Sequence, residues 1–231
     1  MPSPDQTVFL LDVDNTLLDN DRAQDEYLRY IAQECGPIAA ARYWEIFQQL
    51  LAELGYADYL AALQRYRLEV MHDPNLLRVS AFLLDYSFAE RLYPHALDVI
   101  AQLRAWGKTV ILTDGDVVFQ PRKIERSGLW RAVDGNVLIY IHKEQELDEI
   151  ALRYPAAHYV LIDDKIRILA AVKQQWAERV TTVFVRQGHY ALDEKTLALY
   201  SPADVSIERI GDLQSYTLAD LPGNANTEIK P

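Results

Sequence analysis

Cysteine is almost missing from this chain of 231 residues, which contains a single one, Cys35. One cysteine cannot form an internal disulfide, which favours a reducing compartment. The chain also lacks any apolar run near the roughly 20 residues that a membrane-spanning helix needs. Its first six residues have neither the basic region nor the apolar region of a signal peptide. We therefore expect a soluble, cytoplasmic protein with no membrane partner.

Basic residues are also in short supply. The chain has 23 Lys and Arg against 34 Asp and Glu, which gives a formal net charge of −11. Because a polyanion is bound by clustered Lys and Arg, this composition argues against a nucleic-acid partner. An acidic protein that handles a phosphorylated ligand needs local positive charge at its site, and a bound metal ion is one way to supply it.

Glycine and proline are scarce between about residues 20 and 92, where apolar residues recur at helical spacing. Breaks at Gly36-Pro37, Gly55 and Asp73-Pro74 divide this stretch into about four helices. The stretch follows a short apolar run at Thr7–Leu11 that is rich in β-formers, which is typical of a fully buried parallel strand. The sequence therefore predicts a helical lobe inserted after the first strand.

Strands and helices alternate after Pro94. Strands are predicted at about 108–113, 136–141, 158–162 and 180–185, and helices at about 94–106, 117–127, 143–153 and 165–178. This alternation predicts a three-layer, Rossmann-like α/β core with a parallel sheet covered on both faces. The predicted domains are an α/β core at 1–18 and 93–220, an all-helical cap at 19–92, and a flexible C-terminal tail at 221–231.

Polar side chains follow four of the predicted strands. The segments are Asp12-Val13-Asp14-Asn15-Thr16, Thr113-Asp114-Gly115-Asp116, His142-Lys143 and Asp163-Asp164-Lys165. In such sheets, ligands bind beyond the carboxyl ends of the strands. One acidic strand end is common, because aspartate caps helices and initiates turns. Helix capping alone does not readily explain polar segments after four strands, so the sequence predicts a ligand-binding site at the carboxyl edge of the sheet.

The order and spacing of these segments resemble the haloacid dehalogenase superfamily, specifically its Mg²⁺-dependent phosphatase branch. The resemblance covers about residues 7–190. Residues 12–17 are similar to the first motif of the family, 111–116 to the second, Lys143 to the third and 161–164 to the fourth, in its paired-acid form. Each motif alone is a weak signal, whereas all four in order are a strong one.

The resemblance implies a role for each of these residues. Asp12 is the expected nucleophile, which forms an aspartyl-phosphate. Asp14 is expected to protonate the leaving oxygen and then to activate water. Thr113 and the backbone N–H of Asp114 are expected to hold phosphate oxygens, and Lys143 to neutralise Asp12 and the transferring group.

The resemblance also implies Mg²⁺ as the cofactor, a hard cation that prefers oxygen ligands. It assigns the metal to the side chain of Asp12, the backbone carbonyl of Asp14 and the pair Asp163-Asp164. Within that pair, Asp164 is the better candidate for a direct ligand, and Asp163 is expected to act largely through water.

Several other residues have alternative interpretations. Lys123 competes with Lys143 for the role of the site lysine, but we predict that it lies on a solvated helix face. Asp116 is expected to cap the following helix, and His189 to lie on the surface. The tyrosines of the cap line an aromatic pocket or, as we favour, pack its helices together. These tyrosines are Tyr27, Tyr30, Tyr43, Tyr56, Tyr59 and Tyr66.

The predicted function is Mg²⁺-dependent hydrolysis of a small phosphorylated metabolite. A 2-haloacid dehalogenase is the closest rival, but it attacks carbon, needs no metal and has no use for Asp14. A phosphonatase would need a cap lysine, and residues 20–92 contain none. A sugar phosphomutase stays open because it would share the phosphatase core, as does a non-catalytic binding protein with the same fold. The sequence leaves a monomer and a homodimer equally open.

Overall fold

A computed structural model describes residues 7–223 of the chain. Within them a parallel sheet contains β1 (Thr7–Leu11), β2 (Lys108–Asp114), β3 (Val137–Tyr140), β4 (His158–Asp163), β5 (Val180–Val185) and β6 (Val205–Ile207). The strand order is β3-β2-β1-β4-β5-β6, and every neighbouring pair is parallel. Because β1 lies between β2 and β4, the direction of winding reverses at its carboxyl end, which is the point where such sheets bind ligands.

The first four α-helices, which follow β1, form a lobe of their own, which we call the helical insert (residues 19–92). Its helices are α1 (Asn20–Cys35), α2 (Pro37–Leu54), α3 (Tyr59–Arg67) and α4 (Leu76–Asp85), followed by a 3-10 helix at Phe88–Arg91. Asp19 begins α1 by accepting a hydrogen bond from the backbone N–H of Arg22 at 3.0 Å. Gly55 ends α2 in the left-handed conformation, with φ of 79°. The predicted division of this stretch into four helices is confirmed.

The remaining helices cover the sheet. They are α5 (Ala96–Trp106), α6 (Phe119–Arg126), α7 (Leu129–Ala132), α8 (Leu147–Arg153), α9 (Ile166–Trp176), α10 (Gly188–Ala191) and α11 (Glu194–Leu197). No helix among residues 7–223 is long and apolar enough to cross a membrane.

Both faces of the central strand are buried, which explains its continuous apolar sequence. Phe9 and Leu11 belong to one hydrophobic cluster, which contains residues of α5 and α6 and of the helical insert. Val8 and Leu10 belong to another, which contains residues of α8 and α9. Since successive side chains of a strand point to opposite faces, the sheet lies between two layers of helices. The predicted three-layer, Rossmann-like α/β fold is confirmed.

The structure departs from the predicted boundaries in two places. The short strand β6, which pairs with β5, was not predicted, because three residues are too few to show a periodic pattern. The predicted tail, 221–231, is wrong at its start. Leu221 is 1% exposed and belongs to the hydrophobic core, and the carbonyl oxygen of Pro222 accepts a hydrogen bond from Thr181. Residues 224–231 of that prediction lie outside the described residues.

Candidate active site

The loop that follows β1 carries the first two aspartates. The backbone N–H of Asp12 donates to the carbonyl oxygen of Ile162 in β4 at 3.0 Å, so the pairing of β1 with β4 continues as far as Asp12. The chain then turns tightly, because the N–H groups of Leu17 and Leu18 both donate to the carbonyl oxygen of Val13. Asp12 therefore lies at the rigid end of the central strand, and Asp14 lies within the turn.

Two polar side chains hold this turn in place. Asn15 has a left-handed backbone, with φ of 62°, and its Oδ1 accepts the N–H groups of Asn20 and Asp21 at the start of α1. Gln187, which is buried after β5, donates to the carbonyl oxygens of Asn15 and Thr16 at 3.2 and 3.1 Å. The turn is thus tied both to the helical insert and to the neighbouring part of the core.

Three buried carboxylates meet at the carboxyl ends of β1 and β4. Asp12, Asp163 and Asp164 each offer an oxygen within 4.8 Å of the others. Lys143 is 1% exposed, and its Nζ lies 2.5 Å from Oδ1 of Asp12 and 2.7 Å from Oδ2 of Asp163. The structure therefore brings together residues that the sequence placed after three different strands.

Several oxygens of this cluster have no partner. Both carboxylate oxygens of Asp164 and Oδ2 of Asp12 are buried without a hydrogen bond to any of residues 7–223. Asp163 differs, because its Oδ1 accepts the N–H of Lys165 at 2.8 Å and its Oδ2 lies beside Lys143. A buried carboxylate without a partner costs several kcal/mol. A hard divalent cation would supply that partner, so this set of oxygen donors fits Mg²⁺.

Burial also changes the proton affinity of the pair. The pKa of Asp164 is raised well above its usual value, first by burial and then by the neighbouring Asp163 and Asp12, while Lys165 opposes the change. Burial raises the pKa of Asp163 to about 6, although Lys143 partly offsets it. A bound cation reverses such shifts, because it stabilises the charged form of each carboxylate.

Asp14 lies in a second polar group, formed with helix α6. Lys123 Nζ lies 2.7 and 2.9 Å from the two carboxylate oxygens of Asp14. Gln120 Nε2 donates to Oδ2 of Asp14 at 3.3 Å and to Thr113 Oγ1 at 3.1 Å. Gln120 and Lys123 are three residues apart, so they share one face of α6. The spacing shows only that the two residues share a face of α6, and nothing in the sequence indicates that this face points to the site.

The prediction that Lys123 lies on a solvated helix face is wrong, because its side chain is 1% exposed. Its charge is matched by Asp14, which comes from a strand end more than a hundred residues earlier in the chain. A pattern within α6 cannot show that a counter-charge arrives from elsewhere. Asp116, by contrast, accepts the N–H groups of Val118 and Phe119 at 2.8 and 2.7 Å, as a helix cap would.

The residues predicted to bind phosphate lie at the carboxyl end of β2. Thr113 is 1% exposed, and its hydroxyl accepts the hydrogen bond from Gln120. The carboxylate of Asp114 accepts the backbone N–H of Lys143 at 2.8 Å, which joins this strand end to the loop after β3. Burial raises the pKa of Asp114, and the charge of Lys143 opposes that effect.

A cavity of about 640 Å³ opens between the helical insert and the core. Asp14, Asp114 and Lys165 line it from the core. Of the six insert tyrosines, Tyr56 and Tyr59 line it as well. Among the other four, Tyr27, Tyr43 and Tyr66 are buried in the hydrophobic core, and Tyr30 stacks on Phe82. Packing is therefore the main role of these tyrosines, as we favoured.

His189 is exposed, as predicted, but it is not isolated. Its backbone N–H donates to Oδ2 of Asp21, and its Nδ1 lies 2.7 Å from Oδ1 of the same carboxylate. Burial works against ionisation of Asp21, but hydrogen bonds from His189 and Asn15 outweigh it and lower the pKa of Asp21. These contacts join α10 of the core to α1 of the helical insert beside the cavity.

The family of haloacid dehalogenase-like hydrolases matches this chain over residues 7–174, and the chain belongs to that family. The structure of a haloacid dehalogenase-like hydrolase from Burkholderia xenovorans LB400 is 60% identical to it, with a TM-score of 0.89. That match covers 93% of this chain and 100% of the other. The superfamily that the sequence motifs resemble is thereby confirmed.

More distant structures share the fold. Magnesium-bound YfnB from Bacillus subtilis is 18% identical, with a TM-score of 0.61 over 90% of this chain and 97% of its own. An L-2-haloacid dehalogenase from Xanthobacter autotrophicus, with chloropropionic acid covalently bound, is 16% identical, with a TM-score of 0.60 over 90% and 96%. At such identities the likeness shows the fold alone, so it does not choose between phosphate esters and haloacids. No functionally curated protein matches the chain.

Proposed function

We propose that this hydrolase is a Mg²⁺-dependent phosphatase that acts on a small phosphorylated metabolite through an aspartyl-phosphate. The observation that carries the proposal is the buried carboxylate cluster, in which both oxygens of Asp164 and one of Asp12 have no hydrogen-bond partner in the described part of the chain. A carboxylate can approach an anionic phosphoryl group when a cation neutralises their repulsion. An attack on carbon needs no such cation, so it does not explain why these buried carboxylates are gathered together.

The nucleophile in this proposal is Asp12. One of its oxygens forms a bond to phosphorus while the bond from phosphorus to the leaving oxygen breaks. Lys143 holds Oδ1 of Asp12 at 2.5 Å, which orients the carboxylate and places a positive charge beside the transferring group. Mg²⁺, held by Asp12, Asp163, Asp164 and the backbone carbonyl of Asp14, would neutralise charge on the phosphoryl oxygens.

Asp14 serves the two proton transfers. Its side chain is 21% exposed and lines the cavity, where a leaving group would lie. It would first give a proton to the leaving oxygen and then take one from the water that hydrolyses the aspartyl-phosphate. Thr113 and the backbone N–H of Asp114 would hold phosphate oxygens at the end of β2.

The rival function is that of a haloacid dehalogenase, in which the same Asp12 would displace a halide from carbon. That reaction transfers no proton to the leaving group and so has no use for Asp14 as a general acid. In this chain Asp14 is held by Lys123 and Gln120 and faces the cavity. This arrangement, together with Asp164, supports phosphate esters over haloacids.

A product screen tests the proposal directly. The purified protein is incubated with nucleotides, sugar phosphates, phospho-acids and a 2-chloro-acid, each with Mg²⁺ and again with EDTA. We expect phosphate release that requires Mg²⁺ and no halide release. Halide release that persists in EDTA, without hydrolysis of any phosphate ester, would establish the dehalogenase instead.

The cavity also predicts which leaving groups are preferred. Its insert side is formed by aromatic and amide side chains, among them Trp44, Tyr56, Gln24 and Gln48, and Asp25 lies beside them. Among the described residues that line it, no Lys or Arg comes from the helical insert. A second phosphate on the leaving group would therefore find no counter-charge on this side. We expect a higher kcat/KM for monophosphates with neutral leaving groups than for bisphosphates.

A positive charge introduced into the cavity wall tests this preference. Gln48→Lys places a cation on the cavity wall and should raise kcat/KM for a sugar bisphosphate by about fivefold, the effect of about 1 kcal/mol from an exposed ion pair. Gln49→Lys is the matched control, since Gln49 is exposed on the same helix but does not line the cavity. An equal response of both variants would contradict the assignment of this wall to the leaving group.

A further inference from the structure

A buried lysine on α6 has no part in the reaction as described so far. Lys123 lies 2.7 and 2.9 Å from the two oxygens of Asp14, and its Nζ also donates to Oδ1 of Asn20 at 2.9 Å. An ammonium group has three N–H donors and no acceptor. The three oxygen contacts therefore account for its full capacity, and they all lie at the site.

The surroundings of this ammonium group exclude water. Its Nζ lies 5.2 Å from the ring centre of Phe119 and 6.0 Å from those of Phe88 and Tyr59. A charge buried in such a place costs several kcal/mol, and a buried ion pair often contributes no more stability than apolar residues of the same volume. Stability alone is thus a poor explanation for a lysine at this position.

Proton transfer, however, demands an accurately held carboxylate. A general acid works when its oxygen lies about 2.6–3.2 Å from the atom that receives the proton. Asp14 sits in a turn and is partly exposed, so its side chain is free to rotate toward solvent unless it is held. Lys123 contacts both oxygens, and Gln120 contacts one of them.

We propose that Lys123 is a positioning residue: when Asp14 carries the proton that it gives to the leaving oxygen, Lys123 donates to the other oxygen of that carboxyl group and fixes its orientation. The inference rests on the proposed phosphatase function. The hydrogen bonds of Lys123 continue into the helical insert. Asn20, which accepts from Lys123, donates to the hydroxyl of Tyr59 at 3.3 Å, and that hydroxyl donates to Gln24 at 3.0 Å. Tyr59 and Gln24 line the cavity. The orientation of Asp14 is thereby linked to the wall that a leaving group would contact.

Leaving-group dependence separates positioning from a purely structural role. Lys123→Met keeps a long apolar side chain but removes the ammonium. We compare kcat/KM for 4-nitrophenyl phosphate, whose leaving group departs readily without a proton, and for phenyl phosphate, whose leaving group needs one. The ratio of phenyl to 4-nitrophenyl phosphate should fall by about tenfold or more, toward the loss of about 10²–10⁴-fold that removal of general acid catalysis causes.

The controls define the outcome. Lys173→Met removes another partly buried lysine, which pairs with Asp204 at 2.9 Å outside the site, and should leave the ratio unchanged. Lys123→Met added to Asp14→Asn should change the ratio no further, because the group being positioned is already lost. Lys123→Arg, which keeps the charge, should restore part of the ratio.

Three outcomes would contradict the positioning role of Lys123 or the function on which it rests. An equal loss on both esters in Lys123→Met, with phosphatase activity intact in the wild type, would assign Lys123 a structural role and overturn the inference. If that variant does not fold, Asn20→Ala removes one of the three contacts and should lower the ratio in the same direction; an unchanged ratio there would also overturn it. A wild-type protein that releases phosphate with Mg²⁺ from neither aryl ester nor any ester of the screen above would instead refute the proposed phosphatase function, and the inference with it.

Discussion

Asp12→Asn is expected to abolish phosphate release, with kcat on 4-nitrophenyl phosphate lowered by about 10³-fold or more. The amide has nearly the shape of the carboxylate but does not attack phosphorus. It also leaves Lys143 with Asp163 as its remaining charged partner at close range. Both effects act on the transferring group, so we expect the loss in kcat and not merely in KM.

The matched control for this change is Asp98→Asn. Asp98 lies on α5 with 63% of its side chain exposed, so the same chemical replacement should leave turnover unchanged. Thermal unfolding of Asp12→Asn establishes that the variant is folded. Turnover close to that of the wild type in folded Asp12→Asn would remove Asp12 from the role of nucleophile.

Asp164→Asn is expected to have two effects of opposite sign. In EDTA the variant should be more stable than the wild type, because it removes a buried carboxylate whose two oxygens have no hydrogen-bond partner among the described residues. A gain of about 1 kcal/mol would raise the Tm by about 2–4 °C in a chain of this size. With Mg²⁺ the order should reverse, since the wild type gains stability from the bound ion and the variant has lost a ligand.

Thermal unfolding of both proteins with EDTA and across a Mg²⁺ titration measures both effects without any substrate. Asp204→Asn is the control, because the carboxylate of Asp204 accepts hydrogen bonds from Lys173 and Thr182 outside the site. Its loss should lower the Tm by a similar amount in both conditions. A Mg²⁺ response in Asp164→Asn equal to that of the wild type would exclude Asp164 as a ligand.

The two lysines illustrate where a sequence pattern stops being informative. Lys143 follows a predicted strand at the sheet edge, and that position was enough to place it near the aspartates, where the structure has it. Lys123 lies in the middle of a helix whose sequence contains four charged residues, so its burial is invisible in the pattern. Its burial is possible because Asp14, which comes from a distant segment of the chain, neutralises the charge of its ammonium group.

The helical insert shows the same limit. Its four helices follow from helical spacing and from breaks at Gly36 and Gly55. Which of its tyrosines line the cavity does not follow, because neighbouring turns of one helix face different surroundings in the folded chain. Tyr59 and Tyr66 are both buried and lie about two turns apart in α3, yet of these two only Tyr59 lines the cavity beside Asp14.

The sequence by itself determined the α/β class, the inserted helices, the family and the set of aspartates that meet at the ends of β1 and β4. These features depend on local patterns that can be read from the sequence, and on the general rule that the carboxyl ends of parallel strands lie at one edge of the sheet. Only the tertiary structure decided three features of the described residues: both oxygens of Asp164 lack a hydrogen-bond partner, Lys123 contacts Asp14, and no Lys or Arg of the insert lines the cavity. These depend on which side chains from distant segments share a buried space, and burial and pairing of charges are properties of the packed molecule.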